Sequence, residues 1–189
     1  MKKCTGFVIS WLIQQQAIEE EDRELYTYAA DNIIFSLAPL VMVWVIGSFM
    51  HCFRQGVVMI IPFMLLRKFS GGYHAKTLFY CLILSSLLLF LCMKITSYVP
   101  CDWRAMIFSG IAGSSLIIHS PIDSDNKRLE EEQKVQYRKV VCGFVLLFLA
   151  LIFILWKLNE QKYAVCIAVG LWLSAGLQIP CLVKIIKND

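Results

Sequence analysis

The amino-acid sequence predicts an all-α integral membrane protein with about six transmembrane helices, preceded by an N-terminal amphipathic helix at the membrane interface. Two observations lead to this class. Hydrophobic residues make up 58% of the 189 residues and charged residues only 17%, which leaves too little polar surface for a soluble domain of this length. The apolar residues are also grouped into separate runs, most of which reach the roughly 17–25 residues that a helix needs to cross a bilayer.

The first 24 residues mix apolar side chains such as Val8, Trp11 and Leu12 with polar residues at roughly helical spacing, and four acidic residues follow at 19–22. This pattern is typical of an amphipathic helix that lies along the membrane interface. The segment loosely resembles a signal peptide. However, its apolar stretch stops at three glutamines and no small-residue cleavage site follows, so we expect it to be retained. Docking of a substrate or of a second subunit is an alternative role for this helix.

Six apolar segments follow, and we interpret them as the spans of a single membrane-embedded domain that covers residues 1–189. They lie near residues 33–50, 51–66, 77–93, 105–122, 140–156 and 163–183. The second segment is the shortest; it contains Pro62 and reaches spanning length only if residues 51–54 are included. So short a span also raises the possibility that two copies of the chain pair as a homodimer and bury the site between them.

The distribution of Lys and Arg predicts the orientation of these spans. With six spans, 13 of the 18 basic residues fall on one side, together with both termini and the loop that follows the second span. Basic residues are enriched in cytoplasmic loops, so both termini and this loop are predicted to be cytoplasmic. The net charge of +4 is modest, and no basic block suggests that the chain binds nucleic acid.

The loop after the second span carries the residues that suggest chemistry. It contains His74, and Cys81 follows seven positions later at the start of the next apolar segment. A cysteine attacks as the thiolate, and a nearby imidazole can take its proton to form a thiolate–imidazolium pair. Cys81 is therefore the candidate nucleophile and His74 the candidate general base. The other seven cysteines lie mostly within or beside apolar runs, where a cysteine behaves as a small hydrophobic residue.

Other residues of the same loop fit this chemistry. Arg67, Lys68 and Lys76 add positive potential that favours a thiolate and offers contacts for an acidic substrate segment. Gly71 and Gly72 allow backbone conformations at positive φ and leave their amides unhindered, as a tight turn or an oxyanion site requires. No His-Glu-x-x-His or similar ligand set occurs, so we expect neither a metal nor a cofactor.

The spacing of the pair leaves its arrangement open. In one straight helix the Cα atoms of His74 and Cys81 would lie about 10.5 Å apart, whereas catalysis needs contact at about 3 Å. Either the Gly-Gly segment folds back over the third span, or the histidine comes from another subunit. Alternatively, neither residue is catalytic: Cys81 only packs within its span, and His74 only lies at the membrane interface. Asp123, after the fourth span, is a further candidate to orient His74, although such a residue is more often a loop cap or a solvated charge.

The run Arg-x-x-Ser-Gly-Gly-Tyr-His-Ala-x-Thr at 67–77, with the cysteine seven residues after the histidine, resembles the signature of the accessory gene regulator B family. The segment from Pro121 to Leu129 is similar to a second family pattern, except that Arg128 stands where the family often has proline. The resemblance extends over most of the chain. The members of this family are membrane endopeptidases that process quorum-sensing propeptides. The resemblance implies Cys81 as nucleophile and His74 as base, with Arg67 and Gly72 in support.

The resemblance further implies what this chain does and where. It predicts a thiol protease of the bacterial cytoplasmic membrane that cuts the C-terminal part off an AgrD-like autoinducer propeptide. The cut passes through a thioester acyl-enzyme, and cyclisation then yields a thiolactone or lactone. A small membrane transporter is an alternative, but that class needs ionisable residues inside its spans. A non-catalytic membrane partner for a peptide is another alternative, and the intact pair of His74 and Cys81 argues against it.

Overall fold

The computed structural model describes residues 9–15, 18–71, 78–122 and 131–188, and every regular element in these ranges is helical. This confirms the predicted all-α class. After helical residues 9–14 and a short 3-10 turn (Glu20–Asp22), the α-helices are α1 (Arg23–Phe49), α2 (Phe53–Ser70), α3 (Leu78–Tyr98), α4 (Trp103–His119), α5 (Glu131–Lys157), α6 (Gln161–Gly176) and α7 (Ile179–Asn188).

The helices extend beyond the predicted apolar segments wherever polar residues continue the helical backbone. Helix α1 begins at Arg23 rather than near residue 33, and α5 begins at Glu131 rather than near residue 140. The predicted last segment, 163–183, is divided between α6 and α7. The division has a local cause, since Pro180 has no amide hydrogen to donate to the carbonyl of Gly176 four residues earlier.

The chain forms two compact units, Met1–Val41 and Met42–Asp189. In the first unit, Arg23 forms an ion pair with Glu20 and also donates a hydrogen bond to Ser10 Oγ at 3.1 Å. Ile9 is buried in this unit. Residues 9–14 are thus helical, as the amphipathic pattern predicts, and a polar contact ties them to the start of α1.

Helix α6 is the centre of the second unit, where it packs against α2, α3, α4 and α5. Its residues 164–171 are buried on every side. Gly170 permits the closest approach, because a Cβ atom at this position would lie 2.4 Å from the carbonyl oxygen of Met59 and 2.7 Å from the ring of Pro62. Small residues of this kind let the backbones of membrane helices pack closely.

Two stretches are long and apolar enough to cross a membrane by length and composition, Glu132–Lys157 and Gln161–Val183. The apolar portions of α1 and α3 are shorter, at Leu37–Phe49 and Ile83–Tyr98. The predicted count of six spans stays a prediction. Large apolar side chains are nevertheless exposed on several helices, with Trp44, Phe108 and Leu146 at least 60% accessible. Apolar exteriors on this scale are typical of surfaces that face lipid or a partner.

Candidate active site

Helix α2 carries two of the predicted site residues, Arg67 and Lys68, on its last turn. The guanidinium carbon of Arg67 lies 5.9 Å from the ring centre of Phe63, one turn earlier, and the side chain is half-buried. Lys68 is exposed, with Nζ 5.6 Å from the ring centre of Phe69. Both cations lie at the negative end of the helix dipole, which favours positive charge there.

Gly71 ends α2 in a conformation that only glycine adopts readily, with φ +73° and ψ −160°. Its amide donates a hydrogen bond to the carbonyl of Arg67 at 3.2 Å. There is also no space for a side chain, because a Cβ atom on Gly71 would lie 2.7 Å from the carbonyl oxygen of Ile122. The structure therefore explains the first glycine of the Gly-Gly pair by backbone conformation and by close approach together.

The end of α2 is joined to the segment that follows α4. The amide of Ile122 donates a hydrogen bond to the carbonyl of Ser70 at 3.0 Å, and Ser70 is buried. Residue 71 is the last described residue before 72–77, and residue 122 is the last before 123–130. The segment that carries His74 thus begins after Gly71 and the one that carries Asp123 begins after Ile122, and these two backbone positions are adjacent in space.

The remaining predicted residues are placed only in part. The backbone of Cys81 lies on the first described turn of α3, which begins at Leu78. Gly72, His74, Lys76 and Asp123 lie outside the described residues. The structure accordingly places Gly71 and Ile122, which precede the segments with His74 and Asp123, beside each other. The contact between His74 and Cys81 stays a prediction.

Helix α5 also reaches this end of the second unit. The ring of Phe69 meets that of Tyr137 edge-on at 5.6 Å between centres, and it lies 5.9 Å from the ring of Phe144. Arg138 Nε donates a hydrogen bond to the carbonyl of Ile117, near the end of α4, at 3.2 Å. The start of α5 and the ends of α2 and α4 therefore lie side by side.

Sequence reasoning missed a buried polar contact at the same end. Gln178, which is completely buried between α6 and α7, donates a hydrogen bond from Nε2 to Ser120 Oγ at 2.9 Å. Ser120 is the residue that caps the end of α4, two positions before Ile122. In the sequence this contact is indicated only by the amide side chain of Gln178 within a mainly apolar stretch. An average over hydropathy values does not detect one polar residue of this kind.

Cys101, in the loop between α3 and α4, is poorly suited to act as a nucleophile. Burial raises the pKa of the Cys101 thiol, and the neighbouring Asp102 carboxylate raises it further. A raised pKa reduces the thiolate fraction at neutral pH, so Cys101 does not compete with Cys81 as the candidate nucleophile.

A groove of about 770 Å³ runs along α4 and is lined at one end by Pro100, Asp102 and Arg104 and further along by Phe108 and Trp172. Its lining is mainly apolar. None of the predicted site residues within the described ranges lines it. The groove and the described part of the candidate active site therefore share no residue.

Comparison with known proteins agrees with the motif. The sequence profile of the accessory gene regulator B (AgrB) family matches residues 5–180. The chain belongs to the AgrB family. The match covers both units and includes the segment from Arg67 to Cys81, so the resemblance noted in the sequence is confirmed at the level of the family.

Two AgrB-like proteins of Clostridium perfringens are among the similar sequences. One, from strain SM101, is 23% identical over 129 residues, which is 64% of this chain and 60% of that protein. The other, an AgrB-like protein 2 from strain 13, is 24% identical over 144 residues, or 69% of this chain and 67% of that protein. The alignment thus spans about three fifths of the first relative's length. No solved structure matches the chain.

Membership in the AgrB family rests on the match over residues 5–180. Together with the two long apolar helices, it indicates a membrane protein.

Proposed function

We propose that this AgrB-family chain is a cysteine endopeptidase of the bacterial cytoplasmic membrane. In this proposal it removes the C-terminal part of an AgrD-like propeptide and promotes cyclisation of the remainder to a thiolactone or lactone. Cys81 is the nucleophile and His74 the general base. Arg67, Lys68, Gly71, Gly72 and Lys76 support the site or bind the substrate.

One observation carries the proposal more than any other, namely the contact of Ser70 and Gly71 with Ile122. It fixes one end of the segment that bears His74, and Cys81 lies on the first described turn beyond the other end. Residues 72–77 connect these two anchors. We propose that His74 folds back over the start of α3 and does not continue it as a straight helix.

The position of Cys81 also supports the role of nucleophile. In this proposal Cys81 lies near the N-terminus of α3, where the partial positive charge of a helix end stabilises a thiolate. The cations of Arg67, Lys68 and Lys76 act in the same sense. Asp123 follows Ile122 directly, so the same backbone contact keeps it a candidate for orienting the imidazole of His74.

The contacts at this end also support the predicted topology. The ends of α2, α4 and α6 and the start of α5 meet there, through Ser70, Ser120, Gln178 and Tyr137. Helices that alternate in direction across a bilayer bring these four ends to one side. Together with the bias of Lys and Arg, this arrangement supports six spans, with both termini and the site on the cytoplasmic side.

In the proposed reaction, the Cys81 thiolate attacks a peptide carbonyl carbon of the propeptide. The C–N bond then breaks, and the imidazolium of His74 gives its proton to the leaving amine, so the C-terminal fragment departs. An internal thiol or hydroxyl of the substrate next attacks the thioester and passes its proton to His74. This step releases the cyclic peptide and restores the thiolate. Exclusion of water at the membrane surface protects the thioester from hydrolysis.

Co-expression with a candidate AgrD-like propeptide tests this proposal. We expect mass spectrometry of membranes to detect the cut fragment with the wild-type chain and to detect none with Cys81→Ala or His74→Ala. Cys52→Ala is the matched control, because it removes a loop thiol outside the proposed site and should leave cleavage unchanged. Cleavage that persists in Cys81→Ala at normal protein levels would exclude the peptidase mechanism.

The same variants decide whether His74 acts within its own chain. In cells that express Cys81→Ala and His74→Ala together, a site shared between two copies would regain about a quarter to a half of the wild-type cleavage. A site within one chain would regain none. We expect no recovery, because the proposal places both His74 and Cys81 of one site in the same chain.

A further inference from the structure

Gln178 lies in the break between α6 and α7, where its side chain is completely buried. One group of its amide bonds to Ser120 Oγ at 2.9 Å. The other, Oε1, is buried and has no hydrogen-bond partner among the described residues. The hydroxyl of Ser120 can donate or accept a hydrogen bond. In either orientation of the Gln178 amide, one of its two polar groups is therefore bonded to Ser120 and the other is not.

A buried amide with an unmet group is costly for folding, since such a group typically loses about 1–3 kcal/mol. An apolar side chain of similar length would avoid this cost. The neighbours of Gln178 in the sequence are apolar, with Leu177 before it and Ile179 and Pro180 after it. Stability alone therefore gives little reason for an amide at this position, and the contact with Ser120 is what the amide adds.

Ser120 transmits this contact to the candidate site. Its amide donates to the carbonyl of Leu116 and so ends α4. Pro121 and Ile122 follow, and the amide of Ile122 bonds to Ser70 beside Gly71. A continuous path of bonds thus connects the break between α6 and α7 with the entrance to the segment that bears His74.

We propose that Gln178, acting through Ser120, is a positioning residue of the candidate peptidase site. It holds the chain after α4 so that Ile122 keeps the Ser70–Gly71 turn in place. This inference rests on the proposed function. In this role Gln178 contacts neither substrate nor reacting atoms. It keeps His74 and Cys81 in register, and errors of about 1 Å in such geometry lower rates by up to about 100-fold.

Helix α4 offers a matched control for the experiment. Ser109, like Ser120, is a buried serine that accepts a hydrogen bond from a side-chain N–H of the α6–α7 region, here Trp172 Nε1 at 3.1 Å. It lies 11 residues away from Ser120, which is about 16 Å along a helix. Both serines tie α4 to the same part of the chain, but only Ser120 adjoins the candidate site.

The test measures cleavage kinetics of the full chain in vesicles with the propeptide, together with its melting temperature, for Gln178→Met, Ser120→Ala and Ser109→Ala. We expect the first two to lower kcat at least tenfold with KM within about twofold. Ser109→Ala should lower the melting temperature about as much as Ser120→Ala does, but it should keep kcat. The double variant Gln178→Met/Ser120→Ala should lose no more than either single variant, because both act through one bond. Ser120→Thr, which retains the hydroxyl, should recover most of the rate.

Rates for Gln178→Met and Ser120→Ala within twofold of Ser109→Ala would overturn the inference. Loss of folding in both variants would overturn it as well, because it would assign the pair to stability. Failure of the proposed function has a different signature, namely cleavage that survives in Cys81→Ala. If Cys81→Ala is inactive and the Gln178 variants are normal, only the positioning role fails.

Discussion

The backbone amide of Ile122 donates a hydrogen bond to the backbone carbonyl of Ser70, with 3.0 Å between nitrogen and oxygen. These residues are 52 positions apart in the sequence. Ile122 directly precedes Asp123, and Ser70 is followed by Gly71 and then by the segment 72–77, which carries His74. The bond leaves no space for a Cβ atom on Gly71. It therefore defines the geometry on which the AgrB-family chemistry is proposed to depend.

Substitution of Gly71 by alanine should strongly reduce processing. The new Cβ atom would approach the carbonyl of Ile122 to 2.7 Å in a backbone conformation at φ +73° that alanine disfavours, so the turn must shift. We expect at least a tenfold loss of cleavage by mass spectrometry. Gly110→Ala is the control, since among the described residues no atom beyond the adjacent backbone of the same helix lies within 4 Å of a Cβ there. Equal activity of the two variants would contradict the role of the turn.

Charge reversal of Lys68 should weaken substrate binding more than catalysis. Lys68 is exposed at the end of α2 and is proposed to contact acidic residues of the propeptide. We expect Lys68→Glu to raise KM several-fold with little change in kcat, and high salt to reduce the difference because exposed charges are screened. Lys157→Glu, at the end of α5, is a control of equal charge change. Unchanged kinetics in Lys68→Glu would argue against the contact.

Alkylation of the thiols should distinguish Cys81 from Cys101. Burial and Asp102 raise the pKa of Cys101, so its thiolate fraction is small at neutral pH and grows only as the pH rises towards that pKa. Peptide mapping after brief treatment with N-ethylmaleimide at pH 7 should show Cys81 modified well before Cys101. His74→Ala should slow Cys81 alone. If Cys101 reacts first, the assignment of Cys81 as an activated thiolate is wrong.

Gly170→Ala should destabilise the second unit, because its Cβ atom would lie 2.4 Å from the carbonyl oxygen of Met59. Overpacking of this kind typically costs about 1–3 kcal/mol. We expect a lower melting temperature in detergent. In Gly176→Ala the added group meets no atom of the described residues within 4 Å apart from the adjacent backbone of its own helix, so the melting temperature should be unchanged or slightly higher. Similar values for the two variants would show that α2 and α6 pack less closely.

Much of the site follows from local sequence. The order Arg67, Gly71, Gly72, His74 and Cys81 can be read directly, because chemistry depends on residue types and their spacing along one short segment. The same holds for the all-α class, since apolar runs of this length bury backbone polar groups only as helices in a membrane. The ends of the helices were less well predicted: α1 and α5 continue into polar residues, where hydropathy changes but helical hydrogen bonding does not.

Apolar composition, residue order and the family motif were thus determined by the sequence alone, because each depends on neighbours along the chain. Only the tertiary structure decided that Ser70 meets Ile122 and that Gln178 bonds to Ser120. These contacts join residues 52 and 58 positions apart, and no local pattern encodes which helix ends lie side by side. Packing around α6 determines that arrangement, because its four neighbouring helices can all pack closely against this buried helix in only one relative alignment.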